Sequence, residues 1–199
     1  MHDLNEPIPS NLKGAFTCVF DGGCLEHIFN FPQAIKNCME MVAVGGSFLA
    51  ITPANSFCGH GFYQFSPELY YRILSAQNGF AVQEMVVWEL DPGAPQYRVK
   101  DPDALGHRVV LASNRPTYLM VLATHTNASN IFEKTPQQSD YIPQWSTQKA
   151  RSVPEGTQGT WRNRVPYFIR KFARRLRPEP DPFGSEGFER VEKYRSALR

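Results

Sequence analysis

The chain has 199 residues, 42% of them hydrophobic and 13% aromatic, with a formal net charge of +2. This is enough apolar material for one globular domain with a real core, which excludes a chain too polar to fold. No run of eighteen or more apolar residues occurs, and Met1 to Asn5 has neither a basic n-region nor an apolar h-region, so a cytoplasmic protein is expected.

The small net charge conceals an asymmetry. Residues 1–150 carry 9 Lys/Arg and 13 Asp/Glu, whereas residues 151–199 carry 12 and 6. The four cysteines, Cys18, Cys24, Cys38 and Cys58, are irregularly spaced with no Cys-x-x-Cys pair. Neither a zinc site nor a disulfide framework follows from that spacing, and reduced, mostly buried thiols are expected.

Phe16 to Phe20 is a short apolar run closed by Asp21-Gly22-Gly23, which predicts a buried strand ending in a tight turn. After Pro32, the apolar residues Ile35, Cys38, Met39 and Val42 recur at helical spacing. Gly45-Gly46 is expected to stop that helix before a second buried strand, Phe48 to Ile51, giving a βαβ unit. Thr52-Pro53-Ala54-Asn55 then ends the strand, and Ser56 to Phe65 reads as a long loop rich in Gly and aromatics.

Ser66-Pro67 predicts a helix start, with Ser as N-cap and Pro at the first helical position. Leu69, Tyr70, Ile73 and Leu74 give that helix one apolar face, and Asn78-Gly79 ends it. Phe80 to Trp88 and Thr117 to Ala123 predict two further strands. The polar stretch between them, with four prolines, reads as a surface excursion. Beyond Thr126 the pattern weakens, and from Val165 the residues Phe168, Ile169, Phe172 and Leu176 form a short amphipathic stripe opposite Arg170, Lys171, Arg174 and Arg175.

In open α/β sheets, ligands bind where parallel strands end and helices begin. Here those turns are Asp21 to His27 and Thr52 to Phe65. The order Phe20-Asp21-Gly22-Gly23-Cys24-Leu25-Glu26-His27, Gly45-Gly46, then Thr52-Pro53-Ala54-Asn55 resembles the second half of class I S-adenosylmethionine-dependent methyltransferases. The string Gly59-His60-Gly61-Phe62-Tyr63-Gln64-Phe65-Ser66-Pro67-Glu68 is similar to a bacterial subgroup of them. The resemblance spans roughly Asp3 to Ala123.

The resemblance implies an α/β fold, the C-terminal half of a Rossmann-like methyltransferase sheet, with a parallel βαβ followed by an antiparallel strand pair and an irregular basic tail. It divides the chain into a partial methyltransferase domain, 1–126, and a Pro/Arg-rich extension, 127–199. The cofactor it implies is S-adenosyl-L-methionine, bound through Asp3, Leu4, Asp21, Gly22, Gly23, Leu25 and Glu26. A small-molecule or glycan acceptor would be held by Asn55, His60, Tyr63 and Gln64. His27, His60 and Tyr63 are the catalytic candidates, the histidines because an imidazole titrates near working pH and could accept a proton from an oxygen or nitrogen acceptor. His27 can equally serve to shape its turn, and the aromatics around Gln64 can equally pack the loop onto the sheet.

A glycine-rich loop and an acidic strand end should lie upstream of Asp3 in this family, and neither is present, so the chain reads as a truncated record of the full enzyme. The alternative is a non-catalytic binding or scaffold domain that keeps only the acceptor half. In either case the Phe16 to Phe20 strand is an apolar edge open to a partner chain or to self-association. Glu26-His27 is also similar to the metal-binding methyltransferases of the ubiquinone pathway, which place an acid four residues before the histidine. That position is Gly23 here, so no metal is expected. Neither a membrane nor a nucleic acid is expected as partner of the basic stripe.

Overall fold

The computed structural model describes residues 1–111, 113–139 and 181–191. They form an α/β structure around one mixed six-stranded sheet. In chain order the elements are β1 (Phe16–Asp21), α1 (Phe31–Met41), β2 (Val42–Asn55), α2 (Pro67–Ile73), β3 (Phe80–Glu89), β4 (Gln96–Val99), α3 (Pro102–Leu105), β5 (Thr117–His125) and β6 (Phe188–Arg190). The sheet order is β1-β2-β5-β3-β4-β6. β1 and β2 are parallel, as a βαβ crossover through α1 requires, and every other pairing is antiparallel.

Burial follows the two periodicities. α1 turns Phe31, Ala34, Ile35, Cys38 and Met39 inward, at helical spacing, and meets alternate residues of the sheet such as Phe48, Ala50, Leu119, Val121 and Ala123. The intervening residues Leu49, Ile51, Met120 and Leu122 face the other way and are half-buried. Asn37 is a polar residue on the buried side of α1, and all its capacity is used. Its amide group donates to the carbonyls of Leu4 and Glu6, and its oxygen accepts from the Ile8 backbone and from Gln33. The N-terminal segment is thereby tied to the helix.

Several expectations hold in detail. Ser66 caps α2, its hydroxyl accepting from the Leu69 N–H at 3.3 Å, with Pro67 at the first helical position. Gly79 takes the left-handed conformation at φ +76°, and a Cβ there would lie 2.1 Å from the Asn127 carbonyl oxygen, so glycine is required on both counts.

Others need correction. Gly45-Gly46 does not separate α1 from the second strand, because β2 begins at Val42 directly after the helix and runs on to Asn55. The glycine pair is an irregularity inside the strand, lying between the pairings Phe16↔Val42 and Cys18↔Ser47. A Cβ on Gly46 would stand 2.7 Å from the Thr17 carbonyl oxygen, so the glycine serves close approach of two backbones. α2 stops at Ile73, and a separate 3-10 turn, Ala76–Asn78, leads to Gly79. Three of the four cysteines, Cys18, Cys24 and Cys58, are exposed rather than buried; Cys38 alone is in the core.

The expected surface excursion contains β4, which forms a hairpin with β3, and the short helix α3. Part of the 127–199 extension also belongs to the sheet. β6 pairs with β4, and Phe183 stacks on Tyr97 with ring centroids 4.2 Å apart. The basic stripe from Val165 to Leu176 lies outside the described residues. No helix among the described residues is long and apolar enough to cross a membrane.

Candidate functional site

β1 ends at Asp21, and the backbone there reverses through Gly22 and Gly23 into a 3-10 turn, Leu25–His27. Asp21 organises this reversal. Its Oδ1 accepts from the N–H groups of Cys24, at 2.9 Å, and Leu25, at 3.3 Å, while Leu25 is driven into the core. Its other oxygen, Oδ2, is buried and has no hydrogen-bond partner. Burial pushes the Asp21 carboxyl above its ordinary value, the Cys24 N–H opposes that, and the nearby Glu26 charge adds to it.

Glu26 repeats the pattern one turn later. It is 1% exposed, and its Oε2 is a second buried oxygen without a partner. Gly23, at φ +96°, is the residue that makes room for it, since a Cβ there would come within 3.1 Å of Glu26 Oε1. Two buried carboxylates, each with one unsatisfied oxygen, therefore stand within six residues of each other. Natural structures leave such groups bare rarely, because each costs about 1–3 kcal/mol or more when charged.

The Ser56 to Phe65 loop is folded onto this turn by its own backbone. The N–H groups of Phe62 and Tyr63 both donate to the Glu26 carbonyl, at 2.8 and 3.3 Å. Phe65 anchors the far end, buried among Phe31 and Tyr70, with its N–H on the Pro53 carbonyl. Gly61 sits at the closest approach, where a Cβ would lie 2.8 Å from the Glu26 carbonyl oxygen and 3.1 Å from His27 Nδ1. This docking carries His60 to Glu26, 34 positions away in the chain. The His60 Nε2 is 3.5 Å from Glu26 Oε1, the His27 Nε2 is 4.0 Å from the same oxygen, and the two imidazole rings are 5.1 Å apart. Both histidines are about half exposed, so the cluster has a buried floor and an open mouth. Phe29 and Phe62, exposed and packed edge to face at 5.7 Å, flank it.

The structure thus brings together Asp21, Gly22, Gly23, Leu25, Glu26, His27 and His60. The other sequence candidates are placed differently. Tyr63 donates its hydroxyl to the Phe29 carbonyl at 2.6 Å and packs its ring near Phe31 and Phe65. Gln64 accepts from the Phe57 N–H at 2.7 Å, closing the loop on itself. Asn55 donates to the Ser113 carbonyl at the end of β2. These side-chain bonds brace the loop. Asp3 lies at the surface, where its carboxylate accepts from the backbone and side chain of Asn5, contacts that hold it below the usual carboxylate range. Leu4 packs partly against the core and gives its carbonyl to Asn37 of α1.

Sequence reasoning treated His27 and His60 as separate candidates and missed their common partner. A separate groove of about 380 Å³ is lined by Ser66, Glu68, Leu69, Arg72, Arg108 and Gln137, and none of the clustered residues borders it. No family model, curated protein or solved structure matches the chain.

Proposed function

We propose that this chain binds S-adenosyl-L-methionine at the carboxyl end of β1 and directs methyl transfer to a small-molecule or glycan acceptor held beside the 56–65 loop. The observation that carries the reading is the buried Asp21 oxygen without a partner, at the end of the parallel strand and beside two glycines. A carboxylate there is suited to the ammonium of an amino-acid moiety, and Gly22-Gly23 leaves the backbone open to close approach. The antiparallel pair of β3 and β5 following the βαβ unit supports the same reading.

The cofactor supplies a methyl group on a positively charged sulfur, so the methyl carbon is already activated toward an acceptor's lone pair. The work left to the protein is positioning. Asp21 and the Gly22-Gly23 backbone fix the amino-acid end. The exposed rings of Phe29 and Phe62 would form an apolar wall for the acceptor, and the half-exposed imidazoles of His27 and His60 would take the acceptor's proton. The outward edge of β1 pairs with no other strand among the described residues, and Phe16 and Phe20 are exposed on it, which leaves it available to strands that would complete a larger sheet.

Calorimetric titration of the full chain with S-adenosylhomocysteine tests the reading. Binding that is lost in Asp21→Ala is expected. A folded chain that binds none contradicts it.

A further inference from the structure

We propose that Glu26, His27 and His60 form a binding site for a divalent first-row transition-metal ion. The three side chains each present one ligand atom, and these atoms all lie within 4.8 Å of one another. Glu26 Oε1 faces both imidazole Nε2 atoms at 3.5 and 4.0 Å, too far for good hydrogen bonds. These separations suit a shared ion instead. Two ligands at about 2.1 Å from a metal, subtending a tetrahedral angle, stand about 3.4 Å apart. Small rotations of two half-exposed imidazoles close the remaining gap.

The second observation is the state of Glu26. Its carboxyl is 1% exposed, its Oε2 is unpartnered, and among the described residues no lysine or arginine is paired with it, the two histidines being the groups that approach its Oε1. An ion seated between Oε1 and the two histidines would supply the positive charge that favours a buried carboxylate. The glycines fit the same purpose. Gly23 leaves Oε1 uncovered, and Gly61 lets the loop close until His60 reaches the cluster.

The donor set selects the metal. Two imidazole nitrogens and one carboxylate are the ligands of catalytic zinc and non-haem iron sites, whereas Mg²⁺ and Ca²⁺ favour all-oxygen shells. The exposed side leaves positions for an oxygen ligand, water or a hydroxyl of a bound substrate. The ion would use the Nε2 lone pairs of both histidines, making them ligands in place of proton acceptors. The site stands on its own geometry: it replaces the proton-accepting role given above to the two histidines and leaves cofactor binding at Asp21 untouched.

The test is titration of the untagged, chelator-treated full chain with Co²⁺, followed by its visible absorption, and with Zn²⁺ by calorimetry, both without any nucleoside ligand. One ion per chain is expected, with affinity weakened at least about tenfold in His60→Ala and in His27→Ala. His107→Ala should bind as the wild type does, since that histidine pairs with Glu186 elsewhere. His60 is half exposed in a loop, so its replacement leaves the core intact. Absence of Co²⁺ and Zn²⁺ binding, or binding unchanged in both cluster variants, overturns the proposal, whatever the outcome with S-adenosylhomocysteine.

Discussion

Two groups of charged residues on this molecule differ in one respect, and the difference separates structure from function. Around Arg72, opposite charges face one another, although the guanidinium Nε is itself buried without a hydrogen bond. Its guanidinium bonds Asp101, approaches Glu68 and Asp103 at 3.6 and 3.7 Å, and Glu68 in turn accepts from the backbone and hydroxyl of Ser139. At the end of β1, Asp21 and Glu26 are at least as buried, yet each keeps an oxygen with no partner. The first cluster ties α2 to α3 and to the segment at Ser139. The second holds only its own turn, through Asp21 and the N–H groups of Cys24 and Leu25, and its Glu26 Oε1 lies 3.5 and 4.0 Å from a half-exposed pair of histidines.

Substitutions in the two places should therefore have opposite signatures. The largest expected effect on stability is from Arg72→Ala, which leaves Asp101 and Glu68 uncompensated; it should cost about 2 kcal/mol in denaturant unfolding while metal-ion and nucleoside binding survive. Gly61→Ala comes next. Its methyl group must displace the loop from the Glu26 carbonyl, at about 1 kcal/mol, and Co²⁺ binding should weaken with it because His60 moves away.

Glu26→Gln should reverse the pattern seen for Arg72. The unfolding free energy should stay the same or rise, since burial of the carboxyl with Oε2 bare costs stability, whereas Co²⁺ binding should be lost. Equal losses of stability in Arg72→Ala and Glu26→Gln would erase the comparison.

The smallest effect is a pH dependence. Burial holds the folded Asp21 carboxyl above its ordinary value of 3.8, so ionisation is harder in the folded than in the unfolded chain. The contribution of this group to stability is then complete below the ordinary value and is lost as pH rises through the raised one. Asp21→Asn should raise the midpoint of thermal unfolding relative to wild type more at pH 7 than at pH 4. A difference independent of pH would contradict the assigned burial.

Much of the scaffold was legible in residue patterns. β1, α1, β3 and β5 announce themselves by apolar runs and helical spacing, and α2 by its Ser-Pro start. But β1, expected to be buried, is exposed along most of its length because one of its edges has no neighbouring strand among the described residues. What escaped has physical reasons. β4 and β6 are only four and three residues long, and β6 finds its partner across roughly ninety positions of chain, so no local signal marks either. Gly45-Gly46 reads as a helix stop, and only the nearness of the Thr17 carbonyl reveals it as a strand irregularity.

In the site, Asp21, Glu26, His27 and His60 were each visible as chemistry-bearing residues at strand ends. Their juxtaposition was not, because it depends on two backbone hydrogen bonds from Phe62 and Tyr63 to the Glu26 carbonyl, which any residue types can make. The expectation of no metal rested on Gly23 standing four residues before His27, where the metal-binding relatives place an acid. The proposed ion would instead take Glu26 itself as its acid, with a further ligand from a different loop.

The most direct measurement for the central claim is an amide chemical-shift map of the ¹⁵N-labelled full chain titrated with S-adenosylhomocysteine. Perturbations concentrated at Gly22, Gly23, Cys24 and the 59–63 loop, with the Arg72 cluster silent, are the predicted result. Perturbations confined to the Glu68–Arg72 groove, or none at saturating ligand, would contradict the assignment of the β1 turn as the binding site.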